Sequence, residues 1–296
     1  RKDFRWNSRL TFARNKNLIV SLVEGRTEYS LGGGVEYVSS WAVVGKSYGT
    51  IRSTIQSLKY NNPSNPSDPK NGMTVLAWRN DARAAFPQRS NAYQDIGDIN
   101  AKFRAGFSND FTYKNWSLNV LLDAKIGGDM AMSAIRRGTH TGVLPNTLFG
   151  RDADHGGITW TSEFDGITYD DGMLIDGVFA DGQKVSQPDG TTADVGGMTF
   201  LEAYKAGLVE PTHAPQYYYR YASSSTGVSD FWIVESSWIQ LRQVALSYRL
   251  PQAIANKLRM NAISVSLIGR DLLYLYNSLP FDLNPASYNS NLTSAV

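Results

Sequence analysis

The residues of this 296-residue chain that could do chemistry are three histidines, 27 carboxylates and a run of aromatics. His140, His155 and His213 stand far apart, and neither H-E-x-x-H nor an equivalent metal-ligand spacing occurs. Asp152, Asp154 and His155 could converge on a metal, but in GRDADHGG the same residues read more simply as a solvated turn. The stretch from Asp165 to Asp181 is acidic enough to suggest calcium, yet it lacks the D-x-D-x-D-G order closed by Glu at position twelve. Its Asp-Gly pairs at 171–172, 176–177 and 181–182 are ordinary turn chemistry. Gly32 to Gly34 have no strand-loop-helix context and no Lys-Ser, so they are no phosphate cradle, and no G-x-S-x-G elbow exists. Nothing singles out two of the carboxylates as a glycosidase dyad. The chain therefore reads as a non-enzyme without a cofactor, with calcium in an external loop as the alternative.

The aromatics offer binding chemistry. Tyr217, Tyr218, Tyr219 and Arg220 open the run YYYRY, and Trp78 and Trp160 lie in other loop-like stretches. Their faces could stack on sugar rings or pack peptide side chains, so these six are the candidate substrate-binding residues. The competing reading for each is packing of loop against loop.

The elements that must carry these loops are strands. From Ile99 the odd positions run Ile99, Ala101, Phe103, Ala105, Phe107, then Phe111 and Tyr113, against Lys102, Arg104, Ser108, Asp110 and Thr112. After Lys114 and Asn115 the alternation restarts, with Trp116, Leu118, Val120, Leu122, Ala124 and Ile126 against Ser117, Asn119, Asp123 and Lys125, Leu121 being the exception. Period two predicts a hairpin of strands over 99–113 and 116–126. A strand crossing a bilayer obliquely needs about nine to eleven residues, against five or six in soluble sheets, so these are long enough to cross. In that reading Phe103, Phe107, Phe111, Leu118, Val120 and Leu122 face lipid. Lys102, Arg104, Asp110, Asn119 and Asp123 then face a polar lumen, and Tyr113 and Trp116 join an aromatic girdle. The same alternation predicts strands near 4–13, 236–250 and 263–276, and, with a phase broken at Gly45 and Gly49, near 48–58.

Between the strands the connections differ in length. The turn at Lys114 is brief, those near 14–47 and 251–260 are fairly brief, and 59–98 and 127–235 are long. Thr199 and Glu202 predict a capping box for a short helix that ends near Gly207 and Pro211. Such long spans are foreign to a compact domain but ordinary in the external loops of outer-membrane barrels.

Composition narrows the choice little. The chain is 42% hydrophobic and 12% aromatic with a net charge of +2, and its 29 basic residues are scattered along the sequence, which sets nucleic acid aside as a partner. No run approaches eighteen uninterrupted apolar residues, so no transmembrane helix is expected. No cysteine is present, which excludes a disulfide framework and thiolate chemistry. The opening RKDFRW, without Met or a signal peptide, reads as the start of a mature or internal fragment.

Three landmarks resemble one family. SWIQLRQVALSYRLPQAIANKL followed by ISVSLIGRDLLYLYNSLPFDLNP is similar to the closing region of the SusC/RagA group of TonB-dependent outer-membrane transporters. FTYKNWSLNVLLDAKIGG resembles a hairpin of that group, and WNSRLTFARNKNLIVSL with VGKSYGTI resembles an earlier segment, all in family order. Asp271 stands where the family usually has Asn, Asp282 to Pro285 only loosely match its acidic loop motif, and no stretch of this chain matches its plug domain or TonB box. The resemblance implies an all-β fold, the C-terminal portion of a large transmembrane barrel with about six long antiparallel strands and external loops at 59–98, 127–235 and 277–296. It also implies a bacterial outer-membrane location, a SusD-like lid lipoprotein, TonB acting through an N-terminal plug region, lipid contact and an oligosaccharide or peptide substrate. An outer-membrane barrel enzyme and a soluble carbohydrate-binding or adhesin β-domain are the alternatives. Detergent dependence separates the last, and loss of activity on changing one of three histidines would mark the enzyme.

Overall fold

The computed structural model describes residues 3–285. Five long strands form one antiparallel sheet: β1 (Phe4–Ala13), β2 (Phe103–Tyr113), β3 (Trp116–Ile126), β4 (Trp238–Arg249) and β5 (Ser264–Asn277), paired in chain order. Five of the six expected strands thus pair in this sheet, each beginning within four residues of its expected start. The hairpin begins at Phe103 rather than 99 because Ile99 packs into the neighbouring core and Asp98 and Asn100 bond to each other and to the loop at Ser47 and Tyr48. Lys114 takes the left-handed conformation that the two-residue turn requires.

The sixth expected strand, 48–58, needs correction. Only Thr50–Ser53 is extended, and it sits in a separate four-stranded sheet with Glu28–Val35, Val38–Val43 and Gln94–Asp98. Gly45 and Gly49 both have positive φ and bend the chain on its approach, so no long strand can form. Because Ala13 pairs with Arg104, the sheet passes directly from β1 to β2. The segment 14–47, expected as a fairly brief connection, therefore lies at the same end as 59–98.

Both large connections, 14–102 and 127–237, leave and rejoin the sheet at that end, where Ala13 pairs with Arg104, Phe103 with Ile126, and Lys125 with Trp238. They are a folded lobe rather than irregular loops. Its helices are α1 (Ser133–His140), α2 (Phe200–Lys205) and α3 (Ala214–Tyr221), of which the capping box foretells α2. Thr199 Oγ1 accepts from the Glu202 amide at 3.1 Å while the Glu202 carboxylate accepts from the Thr199 amide at 2.7 Å. The remaining helix, α4 (Gln252–Lys257), fills the short connection between β4 and β5.

Two apolar cores hold the lobe, and each takes residues from both connections. Val38, Ile51 and Ile55 pack with Met130, Met132, Ile135 and the fully buried Trp232, while Leu76, Trp78 and Ala85 pack with Met173, Phe179 and Phe200. Polar ties cross the same seam. Asp230 accepts from the Ser57 amide at 2.9 Å and from Gln56 Nε2 at 2.8 Å, and Arg136, 8% exposed, pairs with Glu36. The expected stretch 277–296 is described only to Pro285, where Pro280–Asp282 form a single turn, and its remainder lies outside the described residues.

Candidate functional site

Register sorts the sheet into two unlike faces, since directly paired residues share a face. One face carries Phe4, Trp6, Leu10 and Phe12 of β1, Phe103, Phe107, Phe111 and Tyr113 of β2, and Trp116, Leu118, Val120, Leu122 and Ile126 of β3. It continues through Leu241, Val244, Leu246 and Tyr248 of β4 to Val265, Leu267 and Leu273 of β5, past a bulge at Arg242. Among the paired positions of this face there is one polar spot, Ser8 opposite Asn109, and the Trp6 indole donates to Asn109 Oδ1 at 3.0 Å. These side chains are not a core. Leu267 is 77% exposed, Leu10 72% and Trp6 59%, so an apolar surface five strands wide has no cover.

At the short-turn end that face is edged by aromatics. Trp116 and Tyr248 pack at 4.5 Å between centroids, and Tyr113 lies beside Phe4 with Lys114 Nζ 5.4 Å from its ring. An eleven-residue strand at ~3.4 Å per residue, tilted by about 40°, rises about 26 Å, close to the ~25 Å apolar band of a membrane barrel.

The opposite face is polar. Asn119 donates to Asp110 at 2.8 Å and accepts from Gln243 Nε2 at 3.1 Å, and Ser247 and Ser266 bond at 2.7 Å. Leu121, the exception to the alternation, stands on this side, paired with Ser108. At the lobe end of β1 and β2, a cleft of about 330 Å³ is lined by Arg14, Lys16, Lys46, Lys102, Asp98 and Asn100, among others.

The six candidate binding residues are dispersed. Trp78 is 8% exposed and packs edge-on against Phe179, and Tyr218, 9% exposed, lies in the same core with its hydroxyl donating to Phe149 O at 3.1 Å. Trp78 is thus covered by its neighbours, whereas Tyr218, although mostly covered, lines the same cleft as Tyr219. Arg220 packs over the Phe86 ring at 5.8 Å and stands 4.0 Å from Asp81. Helical spacing turns Tyr217 and Tyr219 apart. Tyr217 stacks on Tyr221 at 5.2 Å beside a cleft of about 300 Å³ that also holds Lys59, Asp176 and Asp230, and burial pushes both phenols far above their ordinary range. Tyr219 packs on His140 at 4.5 Å in a second cleft, of about 540 Å³, with Arg151 and the start of α3. Trp160 lies against Tyr169 and His213, whose Nδ1 is 2.9 Å from Asp171. His140 and Arg151 escape sequence reasoning, since only the tertiary fold brings them beside Tyr219, whereas Tyr221 belongs to the YYYRY run and meets Tyr217 one helical turn away. Among the described residues no group of three or more metal-ligating side chains converges.

The acidic stretch after Asp165 has a structural use. Asp165 accepts from Arg83 at 2.8 Å, the Ile167 amide at 3.1 Å and the Tyr169 hydroxyl at 3.2 Å, and the Arg83 guanidinium holds its carboxyl below the usual range. A depressed folded value means the bonds contribute fully above the unfolded value of about 4 and are lost as pH falls through the lower folded one. Trp160 fluorescence, obtained as the difference from Trp160→Phe, is expected to change in acid with a midpoint below about 4. Asp165→Asn should abolish that step, and an unaltered titration in this variant would assign it elsewhere.

No family model matches the chain, and no curated protein matches it. Solved structures resemble it in backbone course. The RagAB peptide importer in its "closed-closed" state is 15% identical with a TM-score of 0.49, the RagAB peptide transporter 15% with 0.44, and the importer in its "open-open" state 14% with 0.45. Each alignment covers 93% of this chain and 24% of the other, so the chain spans about a quarter of the length of these structures.

Proposed function

We propose that this chain is a section of wall of an outer-membrane active importer, with the lobe on the outer side. The observation that carries this reading is the uncovered apolar face, edged by aromatics and backed by a charged one. A soluble sheet of this width buries such a face against a second layer, whereas a lipid-facing wall exposes it. Among the described residues β1 and β5 each pair on one side only, leaving two rows of main-chain donors and acceptors. Hydrocarbon does not tolerate open edges, so further strands continue the wall on both sides. The sequence resemblance to the SusC/RagA group supports the finer reading: import of oligosaccharides or peptides, energy relayed by TonB through a plug region, and a SusD-like lipoprotein seated on the lobe. No catalytic step is part of this reading.

Nitroxides placed in turn on adjacent residues of β3 test it in membranes. Labels at Leu118→Cys and Val120→Cys are expected to be relaxed by oxygen in lipid, and those at Ser117→Cys and Asn119→Cys by a water-soluble nickel chelate. Water contact at 118 and 120 would remove the wall from the bilayer.

A further inference from the structure

We infer that the solute passing this wall is a polyanion, recognised through carboxylate groups. The inference rests on the proposed importer and names the class of its cargo. The polar face of the sheet carries Arg5, Arg9, Arg104, Lys125, Arg249 and Arg270, whose positions follow from the register of the five strands. Against these six cations stand two carboxylates, Asp110 and Asp123, so the face holds a surplus of four positive charges where the whole chain has a net charge of +2. Arg242 and Asp271 pair at 3.2 Å at the bulge and cancel. None of the six is in an ion pair among the described residues, and all but Lys125 are exposed.

The surplus runs on toward the lobe. In the cleft at the end of β1, Arg14 and Lys16 have no acidic partner within 4.0 Å among the described residues. Lys46 is held by Asp95, and Lys102 by Glu235 at 3.1 Å. The lone carboxylate lining that cleft, Asp98, is occupied by donors from Ser47 and Asn100. A solute entering from the lobe thus meets two free cations and then a strip of unpaired arginines. Arginine presents forked donors that match a carboxylate in pairs, and rings of Arg and Lys select anions in pores. A cleft lined by one sign of charge also concentrates counter-ions and speeds their capture. Lysine and arginine side chains of this kind repel a cationic solute and do nothing for a neutral one.

Carboxylates could be borne by an acidic oligosaccharide or by an acidic peptide, and two matched pairs of probes distinguish these sources. Binding is measured by calorimetry on the intact transporter extracted from outer membranes. Hexagalacturonate is compared with maltohexaose, and hexaglutamate with hexaglutamine. In at least one pair the acidic member is expected to bind about tenfold tighter at low salt, the gap closing at about 0.5 M salt. Combining Arg9→Gln, Arg104→Gln and Arg270→Gln should erase the preference while neutral binding changes less than about twofold, and the three Lys replacements, which keep the charge but not the fork, should restore it in part. Equal or tighter binding of both neutral probes, a preference that survives the Gln changes, or binding of none of the four would overturn the inference. The nitroxide measurement fails or succeeds independently, so loss of the cargo class leaves the membrane wall standing.

Discussion

Replacing Trp232 with alanine is expected to loosen the whole lobe, at a cost of about 3–5 kcal/mol. Its indole is fully buried, donates to Val228 O at 2.9 Å, and belongs to a core whose other buried members come from 38–55 on one connection, 130–135 on the other, and Leu279 past β5. Truncation removes a large apolar area and leaves a hole that two chain segments, each anchored on the sheet, cannot collapse to fill. Hydrogen exchange of the intact protein in detergent checks this. Amides of Val38–Val43 and Ser133–His140 should lose protection together, while those of β3 keep theirs. Loss confined to the residues beside 232, or a change below about 1 kcal/mol, would mean that the lobe is not one cooperative unit.

The second large effect concerns Val120, at the middle of β3 on the uncovered apolar face. Val120→Arg should cost about 2–4 kcal/mol in lipid vesicles if the residue lies at mid-bilayer, because the guanidinium must leave water for hydrocarbon. Asn119→Arg, one residue along and on the polar face, should cost under about 1 kcal/mol. Denaturant titrations of both variants decide the matter. Equal costs at 119 and 120 would show that the two faces meet the same solvent.

Much of the wall was legible in the sequence because strand alternation is local. Phe103 through Ile126 alternate strictly enough that facing follows from counting, and the family-like stretches at 111–128 and 237–285 lie on the same strands. The strand expected at 48–58 failed for an equally local reason, the two positive-φ glycines at 45 and 49. The lobe was far less legible. Its cores join residues nearly two hundred positions apart, as Ile55 and Trp232 are, and no periodicity reports such contacts. Trp78 illustrates the cost: as an isolated aromatic it suits a binding surface, and only the packing against Phe179 makes it interior. Charge behaved in the opposite way. Basic residues that look scattered along the chain gather on one side once five strands are aligned.

The seam between the two connections also bears on how the protein assembles. β1 pairs with β2 across roughly ninety residues of intervening chain, and β3 with β4 across more than a hundred. Closing either gap in an unstructured chain is slow, because the ordering entropy of the loop is spent before any ladder bond repays it. If the lobe condenses first, the Asp230 bonds to Gln56 and Ser57 and the Arg136–Glu36 pair act as a temporary splice. The free ends of β1, β2, β3 and β4 are then delivered side by side, and each remaining step is the zipping of neighbours. For the proposed wall, insertion into a bilayer would thus begin from a preassembled rim, with the hairpin tip at Lys114 as the last part to arrive.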